Sequence, residues 1–535
     1  MLVEFDESKG RALFVSHQWL SEAHPDPDSQ QLKVLQDALT NLLSGHSRIS
    51  TAVFTELLHG RVPVPSAADL KEQLLFVWYD FFSCPQGNSP DSTNNQRNAI
   101  NSIPHYVAKS QYFIILTPAV RHHTLGHVLS QWTWAQRGWC LAERMARELT
   151  PSRGLVIVVE GATHLTLLPG ITSILYSPGE GSFTLEEDRE KVAGIAVQLV
   201  WSRMQHYLAE GDLHNYRFLL NQQVLRLKDL PVLPIEVHVP GMAVDVDPFE
   251  DPAAFMLARF MHLNGFSSVT EGDEAGWPPM CYAAINGNPS LVTSLLRLRA
   301  DVNDRTRRPK PEAHLPRGIP ALCLCACFRN NEAMQILLSA RAELNAKDGY
   351  SQTALHWACL SNNAEAVRML LIAGIDHTLL SSPAVTAFQV ACAYGATEAI
   401  REILEHAPTQ PLQYGLHFAF MMSQNSPELV SLLIKAKADI NEQFYIRRSE
   451  KFGLWASICY GSLRHRVSSP TRFSTLAYHH HGATPMMCSI ICGAFEITHL
   501  LLSAGARTDL RNGRGRVAAD LAMEVQQGET VGDAA

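Results

Sequence analysis

The sequence predicts three parts in series: an α/β N-terminal domain with a parallel sheet over residues 1–165, a helical connector and linker over 166–272, and an all-α repeat solenoid over 273–525. Three observations carry this reading. Strand-like and helix-like segments alternate through the first third, a capping box opens a helical stretch in the middle, and a 33-residue period runs through the C-terminal half.

In the first part, Ala12 to Val15 is a short apolar strand, and residues 28–43 form an amphipathic helix with apolar Leu32, Leu35, Leu39, Leu42 and Leu43. Leu74 to Tyr79 is a buried strand ending at Asp80. Residues 95–109 are helical around Ile100, Ile103 and Val107, with Pro104 placed to kink or divide the helix. Tyr112 to Leu116 is another buried strand, 137–149 another helix, and Leu155 to Val159 the last strand. Such alternation predicts a doubly wound sheet whose ligand crevice lies outside the carboxyl ends of its strands. In the connector, Thr184-Leu185-Glu186-Glu187 is a capping box opening a helix to about Ala209, and a second helix starts at Asp212. The Pro-rich 231–252 segment, with Asp245, Asp247, Glu250 and Asp251, reads as an extended linker.

The period is clearest between Thr353-Ala354-Leu355-His356 and Thr386-Ala387-Phe388-Gln389, which stand 33 residues apart. Leu337-Leu338, Leu370-Leu371 and Ile403-Leu404 keep the same step in the second helices. Thr484-Pro485-Met486-Met487 stands in the same relation to Leu501-Leu502, as does Pro278-Pro279-Met280-Cys281 to Leu295-Leu296. The Thr hydroxyl can cap a first helix, and Pro suits its first turn, where no intrahelical N–H is needed. Gly287, Gly395 and Gly493 fall at turns that call for positive φ. One such unit cannot bury its own apolar face, so stacking supplies the core. The fifth unit shows only Leu416-His417 and Leu432-Leu433. Insertions near 304–317 and 444–480 carry Arg305, Arg307, Arg308, Arg447, Arg448, Arg464 and Arg466. They read as solvated loops or, alternatively, as part of a binding surface on one face of the solenoid. From about 273 to 525 the chain resembles the ankyrin-repeat family, which implies six or so repeats that bind a protein partner.

Bulk properties exclude several classes. With 535 residues the chain divides into domains, and 46% hydrophobic with 18% charged residues is an ordinary globular composition. A net charge of −8 gives no global reason to expect nucleic acid. No apolar run predicts membrane insertion, and Glu4, Asp6 and Glu7 stand where a signal peptide wants positive charge, so a cytoplasmic protein is expected. Eleven cysteines without a C-x-x-C pair agree with a reducing compartment. Cys323, Cys325 and Cys327 read as helix core, His479 to His481 as a solvated loop, and no metal site or cofactor is expected.

Ser16-His17-Gln18-Trp19 after the first strand resembles the S-H-x-W opening of fungal heterokaryon-incompatibility (HET) domains. Trp78-Tyr79-Asp80 with Gln86 resembles their W-x-D-x-x-C-x-x-Q motif, although Cys84 sits one place late. The strand through Tyr112 to Leu116, followed by Trp139-Cys140-Leu141-Ala142-Glu143, resembles TIR domains, distant relatives of HET domains. This TIR/HET resemblance covers about the first 160 residues. It implies that Glu143 matches the catalytic glutamate of TIR domains that hydrolyse NAD, whereas Gln18 and Trp19 replace the basic or glycine residues many active members carry there. A second reading of Glu143 is an i, i+4 ion pair with Arg147. His17 reads as a structural hydrogen-bonder, and Trp132, Trp134 and Trp139 as core.

Two functional classes follow. One is a binding scaffold or signalling adaptor, in which the repeats capture a protein and the N-terminal domain self-associates. The other is an NAD glycohydrolase, with NAD as substrate, whose activity is controlled by what the repeats bind.

Overall fold

The computed structural model describes residues 5–21, 24–60, 62–86, 89–124, 126–151, 154–168, 175–236, 239, 241–242, 246–421, 426–446, 452–468 and 470–529. The chain folds as two compact units. Met1–Pro169, Pro178–Leu199 and Leu412–Ala535 make the first, and Gly170–Ser177 with Val200–Pro411 the second.

The first unit holds the α/β domain. Its elements run β1 (Gly10–His17), α1 (Gln30–Ser44), β2 (Ile49–Thr51), α2 (Val53–His59), α3 (Ala67–Lys71), β3 (Leu74–Tyr79), α4 (Asp80–Ser83), α5 (Pro90–Asn101), α6 (Ile103–Lys109) and β4 (Ser110–Leu116). A small hairpin of β5 (Val120–Arg121) and β6 (Val128–Leu129) precedes α7 (Gln131–Trp134), α8 (Gly138–Leu149), β7 (Leu155–Val159) and β8 (Leu165–Leu167). The main sheet has the order β2-β8-β7-β4-β1-β3. β3, β1, β4 and β7 are parallel, as expected, but β8 pairs antiparallel with β7 and parallel with β2, so the sheet is mixed. Alternate residues of each strand face opposite sides. Leu13, Val15, Ile114 and Leu116 pack under Leu35, Ala38 and Leu42 of α1 and Leu70 of α3. Phe14, Phe113 and Ile115 pack under Val107 of α6, Trp134 of α7 and Cys140 and Ala146 of α8. The chain passes from β3 across β1 to β4 and on to β7, so the order reverses at β1/β4, where an open α/β sheet has its crevice.

Helices α9 (Asp188–Ala209), α10 (Leu213–Arg226) and α11 (Pro252–Asn264) follow. Residues 184–187 lie before α9 rather than opening it, so the capping box expected there is not its start. Asp212 does cap α10, its side chain accepting from Asn215 N. At the end of the 231–252 segment, Asp251 caps α11, a helix not anticipated from the sequence, and Pro252 opens it.

In the second unit the repeat helices are α12 (Pro279–Asn286), α13 (Pro289–Arg297), α14 (Ala321–Cys327), α15 (Asn331–Ser339), α16 (Ala354–Leu360), α17 (Ala364–Ile372), α18 (Ala387–Ala393) and α19 (Thr397–His406), with a two-residue ribbon of β9 (Leu380–Ser381) and β10 (Val385–Thr386). First helices pack on first helices (α12 on α14, α14 on α16, α16 on α18) and second on second (α13 on α15, α15 on α17, α17 on α19). α10 packs on α12 and α11 on α13 in the same relation, so these two helices stand where a preceding repeat would. Threonine caps form at Thr386 and Thr484, and at Thr353 the hydroxyl meets a side chain instead. Thr386 Oγ1 accepts from Gln389 N at 3.2 Å, and Thr353 Oγ1 lies 3.0 Å from His356 Nδ1. His356 Nε2 then reaches Val385 O of the next repeat at 3.3 Å, and its burial lowers its pKa to about 4, so it serves as a neutral bridge. The turn asparagines link repeats as well: Asn303 Oδ1 accepts from Glu343 N at 2.8 Å and Asn345 Oδ1 from Asp376 N at 3.0 Å. Of the pair Leu370-Leu371, only Leu370 is fully buried; Leu371 is half-buried.

The first unit also holds α20 (Gly415–Phe418), α21 (Pro427–Lys435), α22 (Phe452–Val467), α23 (Arg472–His479), α24 (Pro485–Cys492), α25 (Phe495–Ser503) and α26 (Ala518–Glu529). Leu416 and His417, where the sequence suggested a fifth unit, lie in the single turn α20. The 444–480 insertion is not a solvated loop: α22 and α23 pack on one another, and α23 packs on α2 and α24. His479, expected in a loop, ends α23 with a buried side chain 3.0 Å from Glu524 Oε1. Arg464 Nη2 lies 2.8 Å from Glu56 Oε1 of α2, whose side chain is 1% exposed, and Arg472 Nη2 lies 3.0 Å from His164 Nδ1. Arg447 and Arg448 lie outside the described residues. The 304–317 insertion is mostly irregular, with one short turn at Pro311–Ala313. Nine of the eleven cysteines are buried, Cys323, Cys325 and Cys327 among them; Cys84 is half-buried and Cys459 exposed. Among the described residues no helix is long and apolar enough to cross a membrane.

Candidate functional site

Ser16-His17-Gln18-Trp19 closes β1, and each side chain meets a different partner. Ser16 is buried and donates its hydroxyl to Glu143 Oε2 on α8, while Trp134 Nε1 donates to Ser16 Oγ at 3.0 Å. His17 Nε2 lies 2.8 Å from Asp80 Oδ1 at the end of β3. Gln18 Nε2 donates to Ser130 O at 3.2 Å and Thr133 Oγ1 at 3.0 Å, which ties the strand end to α7. Trp19 Nε1 donates to Asp80 Oδ2 at 3.1 Å, leaving its ring 42% exposed. Tyr79 stacks on His17 with ring centroids 4.3 Å apart. The result is two carboxylates and an imidazole at the carboxyl ends of adjacent parallel strands.

These groups set one another's charge. Burial would pull His17 down, but the Asp80 charge and hydrogen bond, helped by Glu143, hold it above its ordinary value. Burial would likewise raise Asp80, yet His17, Trp19 and the Phe81 amide keep it below its ordinary value. Each partner thus favours the charged form of the other. Glu143 goes the other way. Burial lifts its pKa to about 8, and Asp80 adds to this against the opposing Ser16 bond and His17 charge. Burial, with Asp80 and Glu143, raises the Cys84 thiol to about 11.

Of the residues the sequence singled out, the fold brings together Ser16, His17, Trp19, Asp80, Trp134 and Glu143. Gln86 stays apart, exposed, with its amide on Cys84 O. Trp139 is half-buried and donates to Asp188 Oδ2 at 3.0 Å. The ion-pair reading of Glu143 is overturned: Arg147 is buried and its Nη1 donates to Ser110 O at 2.7 Å and Val107 O at 3.3 Å, while Glu143 takes Ser16. Helical spacing alone could not distinguish these, because α8 turns its 143 and 147 positions toward different strands and loops. Sequence reasoning missed the stacking role of Tyr79, within Trp78-Tyr79-Asp80, and the role of Trp134 as a donor, within Gln131-Trp132-Thr133-Trp134. Elsewhere, Glu402, Glu405 and His406 cluster on α19, with two of the three exposed.

A family model described as ankyrin repeats in three copies matches residues 280–381. No curated protein matches the chain. Among solved structures, the crystal structure of human ASB11 ankyrin repeat domain is similar at 19% identity and a TM-score of 0.32, covering 48% of this chain and 99% of that one. Residues 280–381 are ankyrin repeats, a module that generally mediates protein–protein interaction.

Proposed function

We propose that this chain is a cytoplasmic scaffold or signalling adaptor, in which the ankyrin array, extending over about 273–525, captures a protein partner and a TIR/HET-like N-terminal domain self-associates. The stacked repeats support the first half of this reading. Tyr350, 41% exposed on a repeat turn, offers a handle on the capturing surface. Tyr350→Glu in the full chain should weaken partner capture roughly tenfold with melting unchanged, if turn tips carry the contact. A full chain that captures no protein would sink the scaffold.

A second reading, an NAD glycohydrolase, is favoured by one observation: the Glu143 carboxyl sits half-buried at the strand ends, held by Ser16 and free of Arg147. Cleaving the nicotinamide–ribose bond passes through an oxocarbenium-like state, which an ionised carboxylate beside the ribose stabilises. Nicotinamide leaves from a cationic ring and needs no metal. With its pKa near 8, Glu143 is mostly protonated at neutral pH. If the ionised form acts, kcat/KM rises with pH and levels off above about 8. Glu143→Gln should lower nicotinamide release by roughly 10²–10⁴-fold and flatten that profile. Release by full chain no faster than in buffer leaves the scaffold reading alone; turnover that survives Glu143→Gln rejects this mechanism.

A further inference from the structure

We propose that the open cleft lined by α22, α23 and the segment entering α26 binds a phosphorylated serine or threonine of a partner protein. The cleft has a volume of about 870 Å³, and Tyr478 of α23 stands in its wall. The His465 ring stacks on Tyr478 at 4.4 Å. The guanidinium of Arg514 lies 3.4 Å from the same ring centroid and that of Arg466 5.5 Å from it. Arg514 is fixed further by its Nε bond to Tyr478 O at 2.7 Å. Arg516 completes the cationic lining.

Two acidic side chains also line the cleft, each with a partner of its own. Glu524 pairs with His479, and Asp520 Oδ2 accepts from Val517 N at 3.0 Å. Among the described residues neither Arg466 nor Arg516 has a carboxylate partner, and both are exposed. Three guanidinium groups outnumber the two carboxylates of the cleft, and this net positive lining suits a compact dianion, which guanidinium groups bind through paired N–H donors. The ring faces argue against a nucleotide: His465 and Arg514 cover Tyr478, so a base finds no free face there to stack on. A phosphate monoester on a flexible side chain needs only the charge. This proposal rests on the scaffold reading, because it takes the ligand to be part of a protein.

The test is fluorescence anisotropy of the full chain with a dye-labelled degenerate peptide library carrying one phosphoserine, beside the same library with serine. The phosphorylated library should bind roughly tenfold tighter or better, and millimolar inorganic phosphate should compete. R466A combined with R516A should remove that preference while the melting temperature stays unchanged, since both side chains are exposed. Equal binding of the two libraries, no binding of the phosphorylated one, or a preference that survives the double variant would overturn the proposal. So would tighter binding to vesicles with phosphoinositide headgroups than to phosphopeptide. Partner capture that withstands phosphatase treatment would preserve the scaffold and remove this ligand.

Discussion

Helices α14, α16 and α18 begin 33 residues apart, and each packs on its like neighbours. Helices α20 and α24 begin 70 residues apart, yet α20 still packs on α24, and Asn441 Oδ1 still accepts from Arg507 N at 2.8 Å. Stacking therefore survives the insertion. What changes is where the surfaces go. In the regular stretch the polar links run from one repeat to the next. In the interrupted one, the inserted pair α22–α23 carries Arg464 to Glu56 and Arg472 to His164, both in the α/β domain of the same unit. A strict period marks a stretch that satisfies itself, and a broken one marks where the solenoid has been given something else to cover.

The largest effect should come from the buried ion pair. Arg464→Met leaves the Glu56 carboxylate, 1% exposed, without its counter-charge and should cost about 3–5 kcal/mol in denaturant unfolding of the first unit. Adding Glu56→Gln should restore most of it. A loss near zero for the single change would mean that the insertion merely rests on α2. Next, within the regular stretch, Leu370→Ala should cost roughly 2–5 kcal/mol as a core cavity, and Leu371→Ala much less. Equal losses would mean the register of α17 is wrong. The smallest contrast sets two glycines of the C-terminal repeats side by side. Gly493 and Gly505 have φ of 76° and 89°, so alanine at either costs about 1–2 kcal/mol. At Gly493 the new Cβ would also fall 1.7 Å from the His164 ring, whereas at Gly505 nothing lies within 4 Å. Thermal melting should rank Gly493→Ala below Gly505→Ala; the reverse order would deny the contact between α24 and the β8 region.

The strands that position the site were legible because each is a continuous apolar run: β3 and β7 appear with the bounds the sequence suggested, and β1 and β4 extend theirs by a few residues. β2 and β8 were not, since three residues carry no usable period. Helix α11 was hidden behind the acidic, proline-containing run that caps it. Helix α22 was hidden by its own pattern: Phe452, Tyr460, Leu463 and Val467 are exposed, so no apolar stripe marks it. At the candidate site the residue types stood in recognisable order, but Ser16 and Glu143 are 127 positions apart. Only the crossover from β4 through α8 brings them together, and no local spacing encodes that.

The distribution of thiols has a practical consequence. Nine cysteines lie within cores where burial holds the thiol unreactive, and Cys84, half-covered beside two carboxylates, is pushed up to about 11. Cys459, on the exposed side of α22, is then the position a maleimide dye reaches first. The unaltered chain thus offers one addressable point, on the inserted helix pair that carries His465 and Arg466, and a fluorophore placed there would report in solution on whatever settles nearby.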